Sequence, residues 1–263
     1  MTAAQAALIE AIHQTLEADE RVEAAWLSGS FGNGTADDFS DVDVLVLVKQ
    51  PWQDAAGAYA TDLGAIAETV LVSPLFDGRI VNVVTADWDR FDLSFVTAAE
   101  LSRYDQAGLK ALFNKTGAEP PTRAHGPYQP PPEKIADMIR EFLRILGLAH
   151  VIHGREEYVK AVAGVELLRA AVIELMIEDR RIAPQDRGGA LHLRRLVTTE
   201  QYERLSRFPA MTADRASIVD GSVAAAELFL PLARKLAAET GAHWPQALED
   251  ATRRKLAPLG ISF

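Results

Sequence analysis

Cysteine is absent from the chain. Disulfide frameworks, thiolate catalysis and cysteine-held zinc sites are thereby excluded, and the composition suits a reducing, cytoplasmic setting. Long apolar runs are missing as well. Nothing approaches the ~18 uncharged apolar residues that a bilayer span needs, so no membrane partner is expected. The opening MTAAQAALIEAIHQTLEADE lacks the basic start and apolar stretch of a signal peptide. Basic clusters are scarce, the longest being Arg180-Arg181, Arg194-Arg195 and Arg253-Arg254-Lys255. With a formal net charge of −10, the chain lacks the basic track that binding to nucleic-acid phosphates requires. The acid excess suits a cationic small molecule better. What is present is ordinary globular material: 263 residues, 48% of them hydrophobic, enough for two modest cores.

The pattern along the chain changes once. Leu8, Ile9, Ile12 and Leu16 form a helical stripe in residues 5–18. Strands are predicted at 21–28, 42–48, 79–84 and 90–96. VDVLVLV at 42–48 is so evenly apolar that it reads as buried on both faces. Residues 53–70 read as a weak helix, Asp87-Trp88-Asp89 as a turn, and a further helix is expected from Ala98 to Phe113. Six of the thirteen prolines then fall between Pro120 and Pro132, a stiff and extended stretch. Beyond it only helical spacing remains, at 133–153, 155–181, 199–208 and 216–240. The expectation is an α+β protein. An α/β domain with a mixed sheet and helices at 1–117 is followed by a Pro-rich linker at 118–132 and an all-helical bundle domain at 133–263.

One block carries chemistry. Gly29-Ser30 follows the first predicted strand, and Asp41-Val42-Asp43 opens the second. Gly29 lets the backbone approach a polyphosphate. Ser30 can donate its hydroxyl and N–H to phosphate oxygens. Asp41 and Asp43 lie two apart on a strand and so point to the same side, roughly 6.5–7 Å apart at Cα. Two such carboxylates repel each other unless a divalent cation lies between them. Mg²⁺ suits the place, because it takes one or two carboxylates together with phosphate oxygens and waters. Such a metal neutralises charge in an in-line displacement at phosphorus. A third carboxylate is expected on a neighbouring strand, as a metal ligand or as the base for an attacking hydroxyl. Asp87, Asp89 and Asp92 are the candidates. Asp92 is preferred because it alone alternates within a strand, while the other two suit a turn.

The stretch LSGSFGNGTADDFSDVDVLVLV resembles the signature of the DNA polymerase β-type nucleotidyltransferase superfamily. Within that superfamily the chain is most similar to the small antibiotic-modifying enzymes, the lincosamide and aminoglycoside nucleotidyltransferases. RFDLSFVTAAEL also resembles the strand that carries the catalytic base in the lincosamide enzymes. The resemblance covers about the first hundred residues and is faint beyond them, around GREEYVKAV and near the C-terminus. It implies a minimal nucleotidyltransferase domain followed by a helical domain for substrate binding and dimerisation. It implies Mg²⁺ on Asp41 and Asp43, Asp92 as a further metal-site acid and base, and Gly29 and Ser30 on the triphosphate of an NTP, usually ATP. Lys160 would reach the nucleotide phosphates, and a homodimer with the active site between domains or subunits is implied too. The implied reaction is AMP transfer from ATP to a hydroxyl of a small molecule such as an aminoglycoside or lincosamide. The lincosamide branch tends to carry glutamate at the second and third acidic positions; this chain has aspartate at both, as aminoglycoside enzymes more often do. Two other readings stand beside this one: a transferase acting on a protein or an RNA end, and a nucleotide-binding module that has lost the reaction. His150 and His153, three apart on a helix, lack an evident third metal ligand. Trp26 reads as core. Glu156, Glu157, Glu174 and Glu178 read as a solvated face, with an acidic docking face as the sharper alternative.

Overall fold

The computed structural model describes residues 1–124, 126–188 and 190–263. The chain forms two compact units, Met1–Ala124 and His125–Phe263, and the proline-rich stretch spans the division. The first unit opens with helix α1 (Ala3–Ala18) and strand β1 (Val22–Leu27). A single helical turn, α2 (Gly29–Gly32), follows, then β2 (Val42–Val48), α3 (Trp52–Thr61), β3 (Thr69–Leu75), β4 (Ile80–Thr85) and β5 (Arg90–Val96). A short helix α4 (Ala98–Leu101) and strand β6 (Lys110–Asn114) complete it. The strands make one mixed sheet in the order β3-β4-β5-β2-β1-β6. Among the described residues its one parallel ladder joins β2 to β5.

Strand β2 is covered on both faces, as its composition suggests. Val42, Val44, Val46 and Val48 pack into the larger core with Leu8, Ile12 and Leu16 of α1 and Ala55, Ala56 and Tyr59 of α3. Leu45 and Leu47 enter a smaller core with Ala24, Trp26, Val96 and Leu101. Trp26 is therefore a core residue. Because side chains alternate along a strand, Asp41 and Asp43 fall on the face of the smaller core. Helix α1 starts with a capping box, in which Thr2 Oγ1 accepts from the Gln5 N–H and Gln5 Oε1 accepts from the Thr2 N–H.

Two expectations fail in this unit. The helix expected over 98–113 stops at Leu101, and residues 110–114 form β6 instead. Asp105 caps a turn of 3₁₀ helix at Gln106–Gly108. The free edge of β1 then recruits KALFN as a pairing partner, with Ala25 opposite Phe113 and Leu27 opposite Lys110. Tertiary pairing overrides the good helix propensity of Ala, Leu and Lys. Strand β3 goes unread in the sequence, partly inside a segment expected to be helical. It is an edge strand, the setting that tolerates its Pro74.

Among its described residues the second unit holds helices joined by loops and no strand. It comprises α5 (Pro132–Gly147), α6 (Ala149–Arg155), α7 (Tyr158–Asp179), α8 (Leu193–Leu196), α9 (Thr199–Ser206), α10 (Arg215–Thr240) and α11 (Gln246–Leu256). Its core is built from α5, α7 and α10, where Phe142 stacks on Phe229 with ring centroids 3.8 Å apart. Helix α10 is long and apolar enough by composition to cross a membrane, but half of its most apolar window is buried within this unit. Two carboxylates are sunk in the bundle and neutralised there. Glu178 meets Tyr128, Lys134 and Arg187 at 2.6–2.8 Å. Glu249 meets Arg234, Arg253 and Trp244. Glu178 is thus no part of an exposed acidic face; Glu156, Glu157 and Glu174 are exposed.

Candidate functional site

The antiparallel pairing of β1 with β2 brings the end of β1 to the start of β2, and the parallel pairing brings the start of β5 beside it. One end of the sheet therefore collects Ser28 to Ser30, Asp41, Asp43, Arg90 and Asp92. Asp43 and Asp92 are direct partners in the ladder. In-register neighbours on adjacent strands lie about 4.8 Å apart and point to the same face. The crossover through β3 and β4 adds a neighbour on the far side, since Asn82 of β4 pairs with Asp92.

The backbone at Gly29 presses on this acid pair. Gly29 holds φ +53°, and a Cβ at that position would stand 2.0 Å from Asp43 Oδ2. Only glycine satisfies both the left-handed backbone and the contact. Ser28 N–H donates to the Asp43 carbonyl at 2.8 Å, which fixes the junction. The Ser30 hydroxyl beside it is buried and has no hydrogen-bond partner among the described residues. A buried hydroxyl without a partner is a costly feature that a ligand oxygen would relieve.

The electrostatics match this crowding. Burial, and then the charges of Asp41 and Asp92, push Asp43 up to about 6. Burial also raises Asp92, against the hydrogen bond from Asn82, which favours its ionised form. Arg90 Nη1 lies 3.7 Å from Asp41 Oδ2, and Arg90 Nη2 donates to the Phe39 carbonyl at 3.3 Å. Among the described residues no group of three His, Asp or Glu side chains is arranged to close on one metal ion. The pair Asp41 and Asp43, with the Gly29 cradle and the unpartnered Ser30 hydroxyl, still fits a cation that takes one or two carboxylates and completes its shell from phosphate and water.

Residues 10–73 match the family model described as polymerase beta, nucleotidyltransferase. The matched stretch lies within the first unit and marks it as similar to a polymerase β-type nucleotidyltransferase domain. The matched residues include Gly29, Ser30, Asp41 and Asp43; Asp92 lies beyond them. Among solved structures the chain is similar to an aminoglycoside 6-adenyltransferase from Bacillus subtilis, at 13% identity over 98% of each chain with a TM-score of 0.47. No curated protein matches the chain.

Of the residues singled out in the sequence, Gly29, Ser30, Asp41, Asp43 and Asp92 meet at this end of the sheet. Asp87 and Trp88 sit in the turn between β4 and β5, and Asp89 follows them, its N–H donating to Thr85 Oγ1 and its carbonyl accepting from the Thr85 N–H. Lys160 belongs to the second unit, exposed in the first turn of α7. His150 makes a ring-nitrogen contact to the Gly147 carbonyl. His153 is buried edge-on to Tyr158. Two neighbours escaped the sequence reading, Asn82 and Arg90. A polar residue within the apolar run IVNVV marks the first. A cation opening the strand that carries Asp92 marks the second.

Proposed function

We propose that this nucleotidyltransferase moves AMP from ATP onto a hydroxyl of a small cationic acceptor such as an amino-sugar antibiotic. The reading rests above all on Asp43 standing against the Gly29 backbone with Asp92 beside it in the ladder. Asp41 and Asp43 would hold Mg²⁺, with Asp92 at its border. When bound, the metal supplies charge neutralisation on the triphosphate and a template for in-line displacement. Gly29 admits the phosphate chain to the backbone, and the Ser30 hydroxyl donates to a phosphate oxygen. Asp92 accepts the proton of the acceptor hydroxyl as its oxygen bonds to the α-phosphorus and the bond to the bridging oxygen of pyrophosphate breaks. Burial suits Asp92 to this work, since a base raised toward neutrality takes a proton more readily. Asn82 holds the Asp92 carboxylate in place. The acid excess of the chain favours a cationic acceptor. Homodimer formation and cytoplasmic residence belong to the same proposal.

The test is pyrophosphate release from Mg·ATP across a panel of aminoglycosides, lincosamides and related amino-sugars, with Asp92→Asn as control. Release with one acceptor, lost in the variant while Mg·ATP still binds, is the expected result. Release that persists in Asp92→Asn would remove that residue from the role of base. Silence across the panel would move the acceptor to another class.

A further inference from the structure

The phosphate side of this site is short of positive charge. From Ser28 to Val48 the chain contains no lysine or arginine, although this is the segment against which the triphosphate would lie. Most other cations of the first unit are engaged elsewhere. Arg21 is held by Asp19. Arg79 pairs with Glu100 and stacks over Trp52. Lys115 donates to the carbonyls of Asp19 and Val22. Lys110 stands opposite Leu27 on β6, with β1 between it and the carboxylates. Arg90 differs from all of these. It opens β5 two residues before Asp92, lies 3.7 Å from Asp41, and acts on both Asp43 and Asp92 through its charge. Its side chain is 41% exposed and that of Asp41 is 40% exposed. Ion pairs so open to water contribute little to stability. A guanidinium left half-free among three carboxylates is therefore poorly explained as a structural device.

We propose that Arg90 is the arginine that binds the polyphosphate tail of the nucleotide, and that its contact with Asp41 is a holding position which it leaves when a divalent cation and the nucleotide enter. The inference rests on the nucleotidyl-transfer reading above. Two properties support the exchange. A guanidinium presents a planar fork that suits two phosphate oxygens at once, and its competition with a metal for Asp41 is relieved once phosphate offers the stronger partner. The anchor on the Phe39 carbonyl keeps the head group at the rim of the site while the exchange takes place.

The experiment uses the full chain, wild type and the variants Arg90→Met and Arg90→Lys, with folding checked by circular dichroism. Calorimetry measures three ligands: Mg·ATP, AMP, and Mn²⁺ alone. Arg90→Met is expected to weaken Mg·ATP at least tenfold, leave AMP within twofold, and bind Mn²⁺ alone more tightly, since Asp41 loses its resident cation. Arg90→Lys, which keeps the charge without the fork, is expected to fall between. Equal Mg·ATP affinity in wild type and Arg90→Met overturns the proposal and leaves the transfer reading intact. Parallel weakening of ATP, AMP and Mn²⁺ overturns it in favour of a scaffold role. A wild-type chain that binds no Mg·ATP overturns the transfer reading, and this inference with it. Should Arg90→Met not fold, the ATP-to-AMP affinity ratio of Arg90→Lys decides: a ratio equal to that of the wild type overturns the proposal.

Discussion

Gly29 and Gly34 both hold a left-handed backbone, at φ +53° and +71°, yet their surroundings differ. Among the described residues nothing lies within 4 Å of a Cβ at Gly34, whereas at Gly29 it would meet the Asp43 carboxylate. An alanine at either position carries the left-handed penalty, roughly 1–2 kcal/mol. Only Gly29→Ala should in addition displace Asp43. The expected pair of outcomes is a loss of stability in denaturant melts of both variants, larger for Gly29→Ala, with loss of Mg·ATP binding confined to Gly29→Ala. Equal nucleotide binding in both would show that the close approach has no part in the site. Asp92 and Asn82 make a second comparison. Asp92→Asn should lower single-turnover pyrophosphate release by roughly 10²–10⁴-fold, the usual contribution of a positioned base. Asn82→Ala should lower it less, because the carboxylate remains and only its orientation loosens. At this scale the sequence was informative where polarity interrupts an apolar run. Asp41, Asp43 and Asp92 announce themselves in that way. Asn82 also interrupts such a run and Arg90 opens one, but a single polar residue in a strand acquires meaning only once the neighbouring strand is known. His153 shows the reverse case: its spacing from His150 invites a metal pair, but the ring is buried against Tyr158.

Between elements, the junction of α1 with β1 turns on Asp19. Its carboxylate accepts from Arg21 and from the Tyr59 hydroxyl of α3, and these contacts, led by the Arg21 hydrogen bond, hold it down at about 2. A carboxylate whose folded value lies below the unfolded 3.8 stabilises the protein above about pH 4 and loses that contribution as pH falls toward 2. Asp19→Asn should therefore be less stable than wild type in urea at pH 7, with the gap narrowing from pH 4 downward. A gap that stays constant would remove the charge from the explanation. In the helical unit, a Cβ on Gly221 of α10 would come within 2.8 Å of Val165 Cγ1 on α7. Overpacking of this kind costs about 1–3 kcal/mol, so Gly221→Ala should lower the thermal midpoint. An unchanged midpoint would mean that the helices part without cost. Elements were legible where periodicity and burial agree, as in β2 and α5. They were illegible at the sheet edges, where β3 and β6 owe their form to a partner strand rather than to their own composition.

For the whole molecule, the division into two units separates the cores on the two faces of the sheet from the core around α5, α7 and α10. Phe95→Ala and Phe229→Ala each remove a fully buried ring, a loss of about 3–5 kcal/mol. Hydrogen exchange should show the loss of protection centred on the unit that carries the substitution. A loss spread evenly over the chain would mean that the two units melt as one. The change of pattern at the prolines was plain in the sequence, whereas the order of the strands was not, because a mixed sheet needs contacts that no local window contains. The parallel ladder between β2 and β5 bears on the course of folding. It joins stretches about fifty residues apart, so the chain must surrender the entropy of a long closure before any of that ladder is gained. The hairpin of β4 and β5 can form early by itself, but docking it on β2 brings Asp92 against Asp43 and adds like-charge repulsion at that moment. The acids that serve the chemistry thus act as a brake on assembly, and Asp43→Asn should refold faster than the natural chain in metal-free buffer.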